Sequence, residues 1–170
     1  MIRSGDTSRD RQQFRAQVVA IVTGGSSGSG REIARVLTSW GWAIVVVYLE
    51  RQRTVEATLA EIQADGGNVV SVRADLADEL DVRRLFAESV AAFAGVDVVV
   101  HTTTETASLL YQNAARHVRP RGAVVCISAA ARVPPGVASQ LRERGITVGT
   151  APADGLIAFL DSWRQRETIG

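Results

Sequence analysis

The segment Val18–Gly30, VVAIVTGGSSGSG, joins an aliphatic run to a glycine-rich turn. The first five residues predict a buried strand, and glycines follow at positions 24, 25, 28 and 30. Apolar residues at spacings of three and four begin again at Ile33, so a helix is predicted directly after the turn. A strand, a tight turn and a helix in this order are typical of the start of a βαβ unit.

Short β-branched runs alternate with helix-period segments along the rest of the chain. We predict strands over residues 18–22, 43–48, 68–73, 96–101, 123–127 and 147–151. Helices are predicted between them, with Gly41, Gly66 and Gly95 as left-handed caps at three helix ends. Because parallel crossovers are right-handed, the expected α/β fold is a three-layer Rossmann fold. Its doubly wound parallel sheet has about six strands in the order 3-2-1-4-5-6.

Length and composition indicate a single globular domain. We expect a flexible leader over residues 1–15 and one domain over residues 16–170. The 46% hydrophobic and 22% charged residues exclude a disordered or collagen-like chain. A net charge of +1 argues against a nucleic-acid partner. The absence of a membrane-length apolar run or secretory signal leads us to expect a soluble, cytoplasmic protein without a membrane partner.

Cysteine and histidine are too few to predict a metal site. The sequence has one cysteine, Cys126, and two histidines that are far apart, His101 and His117. An internal disulfide is therefore excluded, and we expect no metal cofactor.

The glycines of the turn each suit a separate task in binding a dinucleotide. Gly24 permits the tight turn, Gly28 lets the backbone approach a pyrophosphate, and Gly30 lets the helix pack closely on the strand. The helix N-terminus offers free N–H groups and a partial positive charge to the phosphates. We therefore predict a dinucleotide site, against the alternative of a glycine turn that serves only packing.

The spacing TGxxxGxG from Thr23 to Gly30 resembles that of the short-chain dehydrogenase/reductase family, especially its 3-oxoacyl-thioester reductases and its sugar or steroid dehydrogenases. Residues 45–78, 122–128, 145–155 and 156–170 also resemble segments of the family. The resemblance implies an NAD(P) cofactor, with Asp75 at its adenine. The expected cofactor-binding residues are Thr23, Gly24, Ser26, Ser27, Gly28, Ser29, Gly30, Arg51, Asp75, Leu76 and His101.

Cofactor choice depends on the end of the second predicted strand. An acidic residue there would bind the 2′-hydroxyl of NAD, whereas an arginine would accept the 2′-phosphate of NADP. The order Tyr48-Leu49-Glu50-Arg51 offers both. The resemblance places Arg51 where NADP-linked relatives carry a basic residue, so we expect NADP, with NAD as the alternative.

The resemblance fails at the family's catalytic residues. The family reaction uses a tyrosine four residues before a lysine, together with a serine and a supporting asparagine. These 170 residues contain no lysine, and Tyr48 and Tyr111 both precede the fifth predicted strand. Ala129 stands in the place of the serine, with Ser128 one position earlier. His-Thr-Thr-Thr over residues 101–104 replaces the family's Asn-Asn-Ala-Gly.

Three hypotheses about function remain open. The first is an NADP(H)-binding protein without the Ser-Tyr-Lys residues, acting as a non-catalytic subunit or a nucleotide-responsive binding protein. The second is an oxidoreductase or a non-redox enzyme that uses replacement residues near His101 and Ser128. The third is a structural interaction module. We favour the first because the proton donor is missing, and general acid catalysis alone contributes about 10²- to 10⁴-fold.

An assembly follows from the favoured hypothesis. We expect a homodimer or a hetero-complex with a catalytic relative, because large exposed apolar faces are rare on monomers. The apolar residues that we expect to need cover are Leu109, Leu110, Val137 and Leu141.

Overall fold

A computed structural model describes residues 17–25, 28–50, 53–105 and 107–168, and the predicted leader lies outside these ranges. The strands are β1 Val19–Val22, β2 Ala43–Tyr48, β3 Val69–Arg73, β4 Val96–His101, β5 Val118–Cys126 and β6 Thr147–Thr150. The helices are α1 Gly28–Ser39, α2 Arg53–Ala64, α3 Glu79–Phe93, α4 Ser108–His117, α5 Pro135–Glu143 and α6 Ala153–Thr168. A short 3₁₀-helix spans Ala129–Ala131.

The six strands form one parallel sheet in the order β3-β2-β1-β4-β5-β6, which confirms the predicted topology. In the central strand, Ile21 pairs with Val45 on one side and with Val99 on the other. These three side chains are fully buried, as expected for a parallel sheet that is covered on both faces. All six carboxyl ends therefore lie along one edge of the sheet.

Helices cover the two faces in sets of three. The apolar sides of α1, α2 and α6 pack on one face, where Leu37, Ile62 and Leu160 belong to one buried cluster. The sides of α3, α4 and α5 pack on the other face. This arrangement is the three-layer doubly wound architecture that the sequence predicts. In the described part of the chain, no helix combines the length and apolar character needed to span a membrane.

The predicted caps are correct at two helix ends and wrong at the third. Gly41 and Gly66 have left-handed backbones, with φ of 83° and 80°. After α3 it is Ala94 that turns left-handed, with φ of 65°, and its N–H donates to the carbonyl of Val90. Gly95 is required for a different reason, because a methyl group at this position would lie within 2.2 Å of the Arg119 guanidinium.

Strand β5 begins five residues earlier than predicted. Val96 pairs with Val118, and after a shift in register Val98 pairs with Ala123. The intervening residues form an irregularity in which Arg121 has a φ of 69°. Such an irregularity accommodates Pro120, which lacks the N–H that a regular ladder needs.

The apolar face expected to need a partner is largely covered by the chain itself. Leu110 and Leu141 are fully buried, because α4 and α5 pack against each other. Leu109 and Val137 are half-buried and pack on the same core. The structure therefore corrects the reason for expecting an assembly, and the assembly itself stays a prediction.

Candidate functional site

The carboxyl ends of β1 to β4 border a cavity of about 240 Å³. The sheet order reverses at β1, so the cavity lies at the topological switch point where open α/β sheets bind ligands. Apolar groups from Val47, Leu49 and Leu76 form part of its wall. Polar groups come from Asp75 after β3 and from Glu105 in the loop after β4.

The glycine turn borders this cavity, and its glycines serve different demands. A methyl group at Gly25 would come within 2.0 Å of the Val46 side chain, and one at Gly30 within 2.2 Å of the Gly24 carbonyl oxygen. Packing within the chain therefore requires glycine at these two positions. At Gly28, the first residue of α1, such a methyl group would meet no described atom within 4 Å beyond its chain neighbours and the backbone of its own helix. The space at the helix N-terminus is therefore open, as an approaching phosphate requires.

The wall formed by Asp75 and Leu76 is held by a network of carboxylates. The Asp75 carboxylate accepts the N–H of Ala77 at 2.9 Å, and the Asp75 N–H donates to the Asp81 carboxylate at 2.9 Å. The latter bond, together with the nearby Arg84 guanidinium, lowers the pKa of Asp81. Asp81 stays ionised at neutral pH and fixes the turn that carries Asp75.

His101, at the end of β4, is buried and hydrogen-bonded at both ring nitrogens. Its Nδ1 lies 2.7 Å from the hydroxyl oxygen of Thr23, and its Nε2 lies 2.7 Å from the backbone oxygen of Glu105. Burial lowers the pKa of His101 despite the opposing effect of Glu105. The imidazole is therefore neutral at pH 7, and it links the glycine turn to the loop after β4.

Ser128 lies outside the lining of the cavity. Its hydroxyl accepts the N–H of Ala130 at 3.2 Å and caps the 3₁₀-helix after β5. Tyr111 is fully buried, and its hydroxyl donates to the carbonyl of Ala131. Burial raises the pKa of Tyr111, so this phenol is poorly suited to giving up a proton. His101 and Ser128 are thus each engaged in local structure.

The structure gathers five predicted site residues around one cavity: Thr23, Gly24, Asp75, Leu76 and His101. Gly28, Ser29 and Gly30 form the first turn of α1 and do not line this cavity. Ser26, Ser27 and Arg51 lie outside the described residues. Sequence reasoning missed Thr103 and Glu105, whose loop has no periodic pattern. Over the described ranges, no group of three or more His, Cys, Asp or Glu residues is placed to hold a metal ion.

The family model for short chain dehydrogenases matches residues 18–119. The chain belongs to the short-chain dehydrogenase family. A 3-oxoacyl-[acyl-carrier-protein] reductase of Synechocystis sp. is 35% identical over 92 residues, which are 54% of this chain and 37% of that protein. The corresponding FabG reductase of Staphylococcus aureus is 37% identical over 82 residues, 48% of this chain and 33% of that protein. The matched part spans about a third of the length of these curated relatives.

Solved structures of short-chain dehydrogenases share the fold over a larger part of the chain. A short chain dehydrogenase from Burkholderia cenocepacia J2315 in complex with NADP has a TM-score of 0.67 and 29% identity, covering 83% of this chain and 80% of that one. A dehydrogenase/reductase from Sinorhizobium meliloti 1021 has a TM-score of 0.67 and 27% identity, covering 89% and 80%. The likeness therefore extends beyond residues 18–119, which the family model matches.

Proposed function

We propose that this short-chain dehydrogenase family member binds NADP(H) and lacks the family's ordinary carbonyl reductase activity. It would act as a non-catalytic subunit or as a nucleotide-responsive binding protein. The observation that carries the proposal is the cavity at the switch point of the sheet, which brings Thr23 and Gly24 of the glycine turn together with Asp75 and Leu76. The space at Gly28, at the N-terminus of α1, leaves room for the phosphates of such a ligand.

The groups at the site fit the parts of the nucleotide. The aliphatic side chains of Val47, Leu49 and Leu76 offer an apolar wall to a purine, and the Asp75 carboxylate offers an acceptor to its amino group. The N-terminus of α1 suits the pyrophosphate. Arg51 is proposed for the 2′-phosphate on the sequence alone. When bound, the cofactor supplies a hydride donor or acceptor, and these residues hold and orient it.

The described residues offer no free proton donor of the family type. His101 is hydrogen-bonded at both nitrogens, Ser128 caps the 3₁₀-helix, and Tyr111 donates to a backbone carbonyl. The sequence provides no lysine to lower the pKa of a tyrosine. Reduction of a carbonyl needs a proton for the product alkoxide as well as a hydride. The site therefore suits holding a nucleotide better than turning over a substrate.

Oxidation of NADPH in the presence of diketones, 3-oxoacyl thioesters and quinones tests the proposed lack of activity. We expect no turnover above the rate without protein. A catalytic family member serves as the positive control in the same assay. Turnover at about 1 to 10³ per second that is abolished by His101→Ala would overturn the proposal in favour of an enzyme built on His101.

The assembly is the second part of the proposal. A nucleotide-binding domain without catalytic groups needs a partner through which it acts, and we propose either a second copy or a catalytic family member. Sedimentation of the chain alone, and mixed with such a relative, should show a dimer or a mixed complex. A monomer in both experiments would refute the assembly and leave nucleotide binding to be judged separately.

A further inference from the structure

The buried ring of His101 bridges two walls of the nucleotide cavity. The ring is 1% exposed and is bonded to Thr23 in the glycine turn and to the backbone of Glu105 in the loop after β4. The hydroxyl of Thr103, in the same loop, lies 3.1 Å from Nε2. Thr23, Thr103 and Glu105 all line the cavity, so this ring, together with the two hydrogen bonds from Thr102 to Thr23, holds the loop at its distance from the turn.

The partners of the ring allow one placement of its proton. The backbone oxygen of Glu105 can only accept, so Nε2 carries the hydrogen. The Thr23 oxygen already accepts the N–H of Thr102 at 3.2 Å, and its own hydrogen is free to point at Nδ1. Nδ1 then carries no hydrogen and accepts the hydrogen bond from the Thr23 hydroxyl. In this arrangement the two ring nitrogens and the hydroxyl of Thr23 are all satisfied.

We propose that neutral His101, with its single proton on Nε2, is the positioning residue of the cavity. It holds the loop over residues 102–105 against the glycine turn, and a second proton loosens the loop and weakens nucleotide binding. The expected effect on nucleotide binding rests on the proposed function, whereas the placement of the proton does not.

A second proton would disrupt the contact with Thr23. It would sit on Nδ1 and point at the hydroxyl oxygen, whose own hydrogen occupies the same line. The hydroxyl would have to rotate within a fully buried site where the backbone N–H of Thr102 already takes one acceptor position. The charged ring would also lose its hydration, and an unpaired charge is costly in the interior.

Four titratable groups lie near the ring or line the cavity next to it. Glu105 carries its carboxylate in the loop and favours the charged imidazole, but burial has the larger effect and lowers the pKa of His101. Asp75 lines the same cavity after β3. Tyr111 from α4 presents its ring edge, with centroids 5.8 Å apart, and Cys126 pairs with His101 in the sheet and is buried. Burial raises the pKa of Tyr111, so this group stays neutral.

Nuclear magnetic resonance tests the proton placement without any ligand. Long-range ¹H–¹⁵N spectra of the ¹⁵N-labelled chain show two imidazoles, and the His117→Gln variant identifies the signals of His101. We expect a protonated Nε2 and an unprotonated Nδ1 at pH 7, with the doubly protonated form arising only at a pH below the ordinary range of histidine. A proton on Nδ1, or a charged ring at pH 7, would overturn the inference.

Calorimetric titration with NADP⁺, from pH 7.5 down to one unit below the midpoint at which the resonance spectra show the second proton binding to His101, tests the effect on binding. One titrating proton changes affinity at most tenfold per pH unit, and over this range we expect wild type to lose about 3- to 10-fold more affinity than His101→Asn. The comparison of the two proteins removes the titration of the cofactor's own phosphate. His117→Gln, which changes the other histidine, should follow wild type. His101→Gln replaces His101→Asn if the latter does not fold.

The outcomes separate the inference from the proposed function. The same pH dependence in wild type and in the His101 variant would overturn the positioning role. An absence of binding at every pH would refute the proposed function, and with it the expected effect on nucleotide binding. The resonance spectra would still show whether Nε2 carries the single proton.

Discussion

The hydroxyl oxygen of Thr23 lies 2.7 Å from Nδ1 of His101, so the glycine turn is hydrogen-bonded to the end of β4 within the core. The same oxygen accepts the N–H of Thr102, and the backbone oxygen of Thr23 accepts the hydroxyl of Thr102 at 2.6 Å. Five polar groups are thus paired where β1 and β4 lie side by side. The cavity opens directly beyond them, so its shape depends on these bonds.

Replacement of Thr23 by valine should lower the free energy of unfolding by about 1–3 kcal/mol, the cost of leaving buried polar groups unpaired. Thr58→Val is the matched control, because Thr58 is equally buried and its hydroxyl donates only to the Thr54 carbonyl within α2. Urea denaturation measures both. Equal losses of unfolding free energy in the two variants would show that the hydrogen bonds of Thr23 stabilise the fold no more than the single bond of Thr58 does.

Alanine substitutions at Gly28 and Gly30 should have opposite consequences. Gly30→Ala forces a methyl group against the Gly24 carbonyl and should destabilise the fold by about 1–3 kcal/mol. Gly28→Ala meets open space and should leave stability within about 0.5 kcal/mol of wild type. It should nevertheless weaken NADP⁺ binding about tenfold, because the methyl group occupies the approach of the phosphates. Thermal unfolding and calorimetry measure the two effects, and unchanged binding by Gly28→Ala would contradict the phosphate site.

The left-handed backbone of Ala94 predicts a stabilising glycine. Ala94→Gly should raise the free energy of unfolding by about 0.5–1 kcal/mol, because the left-handed conformation costs a residue with a Cβ about 1–2 kcal/mol. The same change at Ala87, an exposed position inside α3, should cost about 1 kcal/mol. Chemical denaturation of both variants measures whether the free energy of unfolding rises or falls. Destabilisation by Ala94→Gly would mean that the helix ends elsewhere in solution.

The lowered pKa of Asp81 predicts a loss of stability in acid. Since the pKa is lower in the folded state than the unfolded value of about 3.8, the stabilisation is present above that value and is lost as pH falls through the folded pKa. Asp81→Asn should therefore flatten the decline in unfolding temperature below about pH 4. Asp65→Asn, which removes an exposed carboxylate after α2, is the control. Identical acid profiles for wild type and Asp81→Asn would refute the assignment.

Cofactor preference depends on Arg51 in our proposal. Arg51→Ala should weaken NADP⁺ binding about tenfold or more through loss of a charge-assisted bond to the 2′-phosphate, and should leave NAD⁺ nearly unaffected. Arg53→Ala removes a neighbouring exposed arginine and should change neither. Competition titrations with the two nucleotides measure the ratio. An equal loss for both nucleotides would exclude a role at the 2′-phosphate.

The sheet and the glycine turn were predictable because each follows from local sequence or from a general rule of chain geometry. Aliphatic runs give the strands, and right-handed crossovers fix their order. Gly24, Gly28 and Gly30 were assigned tasks from their spacing, and the structure places Gly30 against the Gly24 carbonyl and leaves Gly28 open.

Features that depend on distant contacts could not be read from the sequence. The cap at Ala94 was missed because the next residue is a glycine, whose position is instead required by Arg119. The role of Glu105 on the cavity wall comes from its backbone oxygen, which gives no sequence signal. The hydrogen bond between His101 and Thr23 forms only when β1 and β4 pair.

Titration of the purified chain with NADPH, followed by the fluorescence of the nicotinamide, measures binding at the cavity. We predict a saturable change with one nucleotide per chain, and displacement of the NADPH by NADP⁺. The Gly28→Ala variant, which leaves the packing of the chain intact, should need a higher concentration to saturate. No change in fluorescence up to about 1 mM NADPH, the upper end of ordinary enzyme affinities, would contradict nucleotide binding by this chain.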